Sequence, residues 1–185
     1  MAAYHVVLVH FPIAIWMTAT LAILVRALSN GTLAQAIERA LVPLLSIGLL
    51  TGIAAYAVGL MVWPWEALSA TPLGRNHMLM ASWTTAYWAL MLAILWIQGE
   101  RVWQGAGRWV MAGLAILGSA LLGITGTLGG NLIGVHTEVT QLLRLAGWEV
   151  YTTFYVPNLT LVVLVLASAL LFAIGIWGRR RTPLG

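Results

Sequence analysis

The sequence predicts an all-α membrane protein, a polytopic helical bundle with five transmembrane helices and one short interfacial helix. Two observations predict this fold. Of the 185 residues, 61% are hydrophobic and only 8% are charged, against roughly 25% charged residues in a soluble domain. The apolar residues also gather into five long stretches, each near the roughly 20 residues that a helix needs to cross a bilayer core of about 30 Å. We therefore expect residues 1–185 to form a single transmembrane domain.

The five predicted spans cover nearly the whole chain. The first lacks a basic leading segment and a convincing cleavage site, so we interpret it as a retained helix and not a secretory signal. It contains Pro12, which has no backbone N–H, so this helix is expected either to kink or to begin there. Asn76 suits the N-cap of the third span, which would place His77 in the first turn. No internal repeat of convincing strength is evident. The spans are residues 4–28, 40–63, 77–97, 109–130 and 153–177.

The segment between the fourth and fifth spans is too polar to cross a membrane. Its apolar residues nevertheless recur with helical spacing, at Val135, Val139, Leu142, Leu143 and Leu145. This pattern is typical of an amphipathic helix that lies flat at a membrane surface. We expect such a helix at about residues 135–147, roofing the outer ends of the spans.

The arginines predict the orientation, since the chain has no lysine and short cytoplasmic loops are enriched in basic residues. Seven of the nine arginines fall on one side of the predicted spans, and Arg75 and Arg144 fall on the other. We expect a bacterial inner-membrane protein with a periplasmic N-terminus and a cytoplasmic C-terminus. The seven arginines are Arg26, Arg39, Arg101, Arg108, Arg179, Arg180 and Arg181.

All four histidines fall at the predicted periplasmic ends of the spans. His5 and His10 lie at the start of the first span, His77 opens the third, and His136 follows the fourth. The chain has no cysteine, which excludes thiolate metal ligands, iron–sulfur clusters and covalently attached c-type haem. Imidazole is therefore the main ligand type available for a cofactor.

His10 and His77 are the predicted axial ligands of a haem. His10 lies about one and a half turns into the first span, where ionisable side chains are rare and usually functional. His5 is five residues away, about 140° around a helix, so only one of the two is expected to face the bundle. His136 is a second candidate ligand or the ligand of another haem, and His5 and Glu66 are further candidates for a metal.

Glycines and other small residues form stripes on two of the spans. One stripe follows the second span, at Gly48, Gly52, Ala55 and Gly59, and another follows the fourth, at Gly126, Gly130 and Gly134. Such stripes are typical of close helix packing in membranes, and they also let a flat macrocycle lie against the backbone. We expect Gly126 and Gly130 beside the cofactor, and Arg75 paired with haem propionates.

Three segments carry a resemblance to a known family: V-H-F-P-I-A in the first span, R-N-H-M-L at the third, and L-G-G-N-L-I-G-V-H after the fourth. Over about the first 140 residues the chain resembles a family of small bacterial integral membrane proteins of unknown function. The resemblance implies that His10, His77 and His136 are the histidines to test. It also implies an acidic residue beside a tryptophan after the second helix, here Trp65 and Glu66. His5 lies outside the family pattern.

Together these features predict a membrane-embedded b-type haem protein with one or two haems. We expect an electron-transfer subunit of a respiratory or photosynthetic redox complex more than a complete enzyme. Its expected partners are the lipid bilayer, other membrane subunits, and a periplasmic cytochrome c or a quinol. The formal charge of +4 comes mostly from arginines that direct membrane insertion, so we expect no nucleic acid.

Two alternatives stay open at this point. The first is a non-haem site in which His10, His77, His136 and Glu66 bind zinc, copper or iron, because imidazole and carboxylate suit several first-row metals. The second is a structural or assembly subunit of a larger membrane complex with no cofactor.

Overall fold

The fold is all-α in the computed structural model, which describes residues 2–153 and then positions 159, 162–163, 165–167, 169–170, 173–174 and 177. Six α-helices and one 3-10 helix occur in residues 2–153. The α-helices are α1 (Ala2–Leu28), α2 (Thr32–Val62), α3 (Trp65–Ser69), α4 (Pro72–Gln98), α5 (Gly107–Leu132) and α6 (Glu138–Leu145), and the 3-10 helix is Gly99–Trp103.

Four helices of the described residues, α1, α2, α4 and α5, are long and apolar enough to cross a membrane. They correspond to the first four predicted spans, and the chain is a multi-pass membrane protein. The predicted fifth span, residues 153–177, is described at only 12 of its 25 positions and is not among these four helices. A short helix, α6, lies within the segment predicted to form the interfacial helix, residues 135–147, whereas the hydropathy pattern does not predict α3, which has only five residues.

The four long helices form a bundle in which α1 and α4 lie on one diagonal and α2 and α5 on the other. Helix α1 packs mainly against α2 and α5, and α4 packs against the same two helices. Helices α1 and α4 begin at one end of the bundle, where α2 and α5 finish. We call this the histidine end, because all four histidines lie towards it.

The start of α4 differs from the prediction. The N-cap is Thr71, whose side chain accepts a hydrogen bond from the Gly74 N–H at 3.1 Å, and Pro72 occupies the first turn, where its missing N–H costs nothing. Asn76 is therefore not a cap. It is buried inside α4 and donates from Nδ2 to the Thr153 carbonyl at 2.6 Å. The earlier start places His77 in the second turn.

Two other helix boundaries extend beyond the apolar runs. Helix α1 continues through Pro12 and does not begin there. Helix α2 begins at Thr32 and not near residue 40, since its first turns lie beyond the apolar core and include Glu38, which pairs with Arg26 at 2.6 Å. A hydropathy window finds the part of a helix that crosses the membrane, while polar turns of the same helix go undetected.

Helix α5 ends at Leu132 in a Schellman motif, in which Gly134 is the residue after the C-cap. Gly134 has φ of +81°, a left-handed conformation that favours glycine. The Val135 N–H donates to the Gly130 carbonyl at 2.9 Å and the Gly134 N–H to the Asn131 carbonyl at 3.2 Å, which are the two hydrogen bonds of that motif. The chain then turns back over the histidine end towards α6.

The α1–α2 and α4–α5 halves are related by approximate two-fold symmetry. His77 follows His5 by 72 positions, and Trp88 follows Trp16 by the same number. Gly118 follows Gly48 by 70 positions, as Gly129 follows Gly59. In each half, the histidine and the tryptophan of the first helix pack against the two glycines of the second helix. Sequence comparison within the chain does not reveal this repeat, because the matched positions are few and are separated by lipid-facing residues that need only be apolar.

Candidate cofactor site

A cavity of about 610 Å³ occupies the histidine-end half of the bundle. Its walls are mostly apolar and are contributed by all four long helices, with Ala67 and Leu68 of α3 beside its outer end. Cofactor and ligand sites in proteins have volumes of roughly 300–1,000 Å³, so the cavity is large enough for a porphyrin. Three of the four histidines line it: His5, His10 and His77.

His5 enters the cavity from α1 and is held against α2. Its Nδ1 lies 3.0 Å from the Ala55 carbonyl oxygen, and its ring packs on Gly59, where a Cβ atom would lie 2.8 Å from the imidazole Cε1. A carbonyl oxygen can only accept a hydrogen bond, so the proton of a neutral His5 is on Nδ1. The Nε2 lone pair is left for another partner.

His77 has the same arrangement on the opposite helix of the diagonal. Its Nδ1 donates to the Thr125 carbonyl at 3.2 Å, and its ring packs on Gly129, where a Cβ atom would lie 2.9 Å from Cε1. Thr125 is itself fixed, because its hydroxyl contacts that of Thr84 at 2.8 Å. His77 also presents Nε2 as the free acceptor.

The two histidines are therefore equivalent in their surroundings as well as in sequence position. Each hydrogen-bonds the carbonyl four residues before the glycine on which it packs, Ala55 before Gly59 and Thr125 before Gly129. Metal-ligating histidines typically donate their second ring N–H to a carbonyl or carboxylate, which fixes the tautomer and the ring orientation. The site thus presents two imidazoles whose Nδ1 atoms are bonded to carbonyl groups, from opposite helices of one cavity.

A pair of tryptophans lies at the inner limit of this region. Trp16 lines the cavity, packs against Gly48 and Gly52, and stacks on Trp88 with ring centroids 5.7 Å apart. Trp88 in turn packs against Gly118. Glycine is needed at these positions because a Cβ atom would lie 2.6–3.0 Å from an indole ring. Most of the predicted glycine stripe on α2 therefore serves packing against aromatic rings.

His10 differs from the other two histidines of the cavity. Its ring lines the cavity but is exposed, and its Nδ1 donates to the Val6 carbonyl of its own helix at 2.6 Å. The expectation that only one of His5 and His10 faces the bundle is consistent with this placement, with His5 as the inward residue.

His136 and Glu66 do not line the cavity. His136 is exposed beyond the end of α5, where its Nδ1 donates to Asn131 Oδ1 at 2.8 Å and lies 3.1 Å from the Tyr151 hydroxyl. These bonds tie the segment after α5 to the end of that helix. Glu66 is exposed in α3. The structure thus brings His5, His10 and His77 to one cavity and leaves the other two candidates outside its lining.

The remaining predicted site residues are close to the cavity. Gly126 and Gly130 both line it, and no heavy atom lies within 4 Å of the position of a Cβ atom on Gly126. Arg75 lines a shallow groove that shares Tyr56 and Met78 with the cavity, and its Nε donates to the Ser69 carbonyl at 2.5 Å.

Within the described part of the chain, no three histidine, aspartate or glutamate side chains converge as a metal centre. The histidines of the cavity instead divide into the symmetry-related pair, His5 and His77, and the separate His10. Comparison with known proteins adds no assignment, because no protein-family model, curated protein or solved structure matches this chain.

Proposed function

We propose that the protein is a membrane-embedded b-type haem electron-transfer protein, with the haem bound in the cavity between His5 and His77. The observation that carries the proposal is the symmetry-related pair of imidazoles, each anchored through Nδ1 and each with Nε2 free. Histidine is a common ligand of haem iron. His5 and His77, which lie on diagonally opposite helices, would hold the iron through their Nε2 atoms.

The cavity and its surroundings fit a porphyrin in two respects. The volume and mostly apolar walls of the cavity suit the macrocycle. Arg75, in the adjoining groove, is placed at the histidine end, where propionates would extend towards the membrane surface.

Each residue of the site has a defined task in this proposal. Haem supplies reversible one-electron chemistry when it is bound. The Ala55 and Thr125 carbonyls hold the two imidazoles in the ligating tautomer, Gly59 and Gly129 fix the ring positions, and the apolar walls exclude water. Burial and hydrogen bonding to the axial ligands are the means by which a protein adjusts a haem potential.

The proposal replaces the predicted axial pair of His10 and His77 with His5 and His77. His10 lies on the same helix as His5 and on a different face. The proposal includes one haem in this cavity. Three histidines line the cavity, and only His5 and His77 form a symmetry-related pair. Non-haem metal binding by His10, His77, His136 and Glu66 is not favoured, because His136 and Glu66 do not line the cavity.

The proposal places the protein in a bacterial inner membrane as a subunit of a respiratory or photosynthetic redox complex. It has five transmembrane helices, the fifth over residues 153–177, whose described positions from 159 onwards are helical. The histidine end is periplasmic, which puts the haem near a periplasmic cytochrome c. The distribution of arginines supports this orientation.

The reduced-minus-oxidised visible spectrum of the purified protein, with a pyridine haemochrome assay and metal analysis, tests the haem. We expect a b-type α band and one haem iron per chain. A stoichiometric metal without porphyrin would instead support the non-haem alternative, and a colourless, metal-free protein would contradict both cofactor proposals.

The orientation has its own test, because the chain has no cysteine and single cysteines can be introduced without background. Ser69→Cys lies at the histidine end and Gln104→Cys at the opposite end of the bundle. In intact spheroplasts we expect an impermeant maleimide to label only Ser69→Cys. Labelling of Gln104→Cys alone would reverse the orientation.

A further inference from the structure

The cavity opens laterally between α1 and α5, and His10 marks the opening. His10 is both part of the cavity lining and exposed. Thr20 marks the side of α1 that faces α5, because its hydroxyl contacts Ser119 of α5 at 2.7 Å. Around the axis of α1, His10 lies about 80° from Thr20. His5, which contacts α2, lies on the other side of Thr20. This is the flank of α1 that turns from α5 towards lipid. Ile133, which directly follows α5, also lines the cavity and is 46% exposed.

The approximate two-fold symmetry shows that this flank is open where its counterpart is filled. The positions equivalent to Gly126 and His10 in the other half are Tyr56 and Ser82, whose hydroxyl groups are 2.9 Å apart. Tyr56 thus fills the flank between α2 and α4. At Gly126 no heavy atom lies within 4 Å of the position of a Cβ atom, so the flank between α1 and α5 has room for a ligand.

His10 supplies a hydrogen-bond acceptor at this opening. Its Nδ1 donates to the Val6 carbonyl at 2.6 Å, so Nε2 of the neutral ring carries a lone pair. The ring is exposed on an apolar helix face, among residues such as Val7 and Phe11 that are more than half exposed. In hydrocarbon an acceptor without a donor is unfavourable, so a ligand that reaches it from the membrane should carry a hydroxyl or amide donor.

The charge of the cavity distinguishes between membrane-soluble ligands. None of the residues that line it in the described part of the chain is an arginine, lysine, aspartate or glutamate. A phospholipid phosphate would therefore find no counter-charge there. A neutral ring that bears hydroxyl groups finds both an apolar wall and the His10 acceptor.

We propose that the opening between α1 and α5 binds the head group of a membrane quinol, and that His10 Nε2 accepts a hydrogen bond from one quinol hydroxyl. The choice of a quinol rests on the proposed electron-transfer function, because quinols are the lipid-soluble electron carriers that bear such hydroxyl groups. His5 lies five residues from His10, about 7.5 Å along the helix axis. The head group would therefore bind close to the haem.

Equilibrium dialysis of duroquinol against the haem-containing protein in phosphatidylcholine nanodiscs tests the site, with empty nanodiscs as the reference. Dithionite keeps haem and quinol reduced, so electron transfer does not enter the measurement. We expect one saturable site per chain. His10→Phe keeps an aromatic ring but removes the acceptor, and it should weaken binding roughly tenfold.

Gly126→Leu should abolish binding by filling the opening. Gly123→Leu is the matched control, since Gly123 lies on the same helix, also has nothing within 4 Å of a Cβ position, and does not line the cavity. It should bind duroquinol as the wild type does. The haem spectrum of each variant establishes that the fold and the haem site are retained.

The outcomes separate this inference from the haem proposal. Two results would overturn the quinol site without contradicting the haem proposal. One is saturable binding that is unchanged in both His10→Phe and Gly126→Leu, and the other is a haem-containing wild type that shows no saturable binding. Loss of haem in His10→Phe would make His10 a ligand and also overturn it. A colourless protein with the expected binding pattern would support the quinol site and overturn the haem proposal.

Discussion

Trp16 of α1 and Trp88 of α4 stack face to face across the bundle, with their ring planes 6° apart. Each lies eleven residues after a histidine of its own helix, His5 or His77, which is close to three full turns. The histidine and the tryptophan of each helix therefore share one face. The tryptophan pair and the proposed axial ligands are thus positioned by the same two helices.

Removing either stacked tryptophan should destabilise the bundle. Trp16 and Trp88 are 3% and 0% exposed, and truncation of a buried tryptophan to alanine costs about 3–5 kcal/mol. We expect Trp16→Ala and Trp88→Ala to lower the thermal unfolding temperature in detergent markedly. Trp96→Ala is the control, because Trp96 is 73% exposed, and its midpoint should stay close to that of the wild type. Equal losses in all three variants would contradict the packing role.

The proposed axial ligands make a prediction for individual histidines. His5→Ala and His77→Ala should each lose most of the bound haem, because each removes one iron ligand. Exogenous imidazole should partly restore the low-spin spectrum by entering the space left by the side chain. His136→Ala should retain its haem, since His136 does not line the cavity. Haem retained in His5→Ala and lost in His136→Ala would refute this assignment.

The glycines behind the two imidazoles should tolerate no side chain. In Gly59→Ala or Gly129→Ala the new Cβ would lie 2.8 or 2.9 Å from an imidazole carbon, so the ring must move. We expect a shifted haem midpoint potential in a spectroelectrochemical titration and a stability loss of about 1–3 kcal/mol.

Gly123→Ala provides the control for these two variants, because its Cβ would meet no heavy atom within 4 Å. Its midpoint potential should equal that of the wild type. If all three variants keep the wild-type potential, contact between glycine and imidazole does not set the ligand geometry.

The ion pair at the end opposite the histidines should contribute to stability. Arg26 and Glu38 are 2.6 Å apart, with side chains only 10% and 16% exposed. Glu38→Gln leaves the Arg26 charge without its carboxylate, and we expect a loss of about 3 kcal/mol in the unfolding free energy. Glu149→Gln breaks a pair whose side chains are 51% and 42% exposed, so it should cost at most about 1 kcal/mol. The reverse order would contradict this account.

The fold was largely predictable because apolar runs of membrane length form helices. The four described spans follow from that rule, and α6 follows from the helical spacing of the apolar residues in its segment. The helix ends could not be predicted in this way, because they depend on single contacts such as the hydrogen bond from the Gly74 N–H to the Thr71 side chain. The five residues of α3 are too few to show a period.

The position of the histidine-lined cavity was predictable, but the choice of the two histidines that face each other across it was not. The clustering of histidines at one end of the spans identified the region. Helical periodicity shows that His5 and His10 face different directions, but it does not show which of them faces the bundle. That answer requires the contacts of His5 with Ala55 and Gly59, which are fifty or more residues away in sequence.

The most direct test of the central claim is the electron paramagnetic resonance spectrum of the oxidised, detergent-purified protein at low temperature. Binding of one haem between His5 and His77 predicts a low-spin ferric signal with two axial imidazoles, which is lost in both His5→Ala and His77→Ala. A high-spin haem signal, a low-spin signal that survives both substitutions, or no haem signal at all would contradict it.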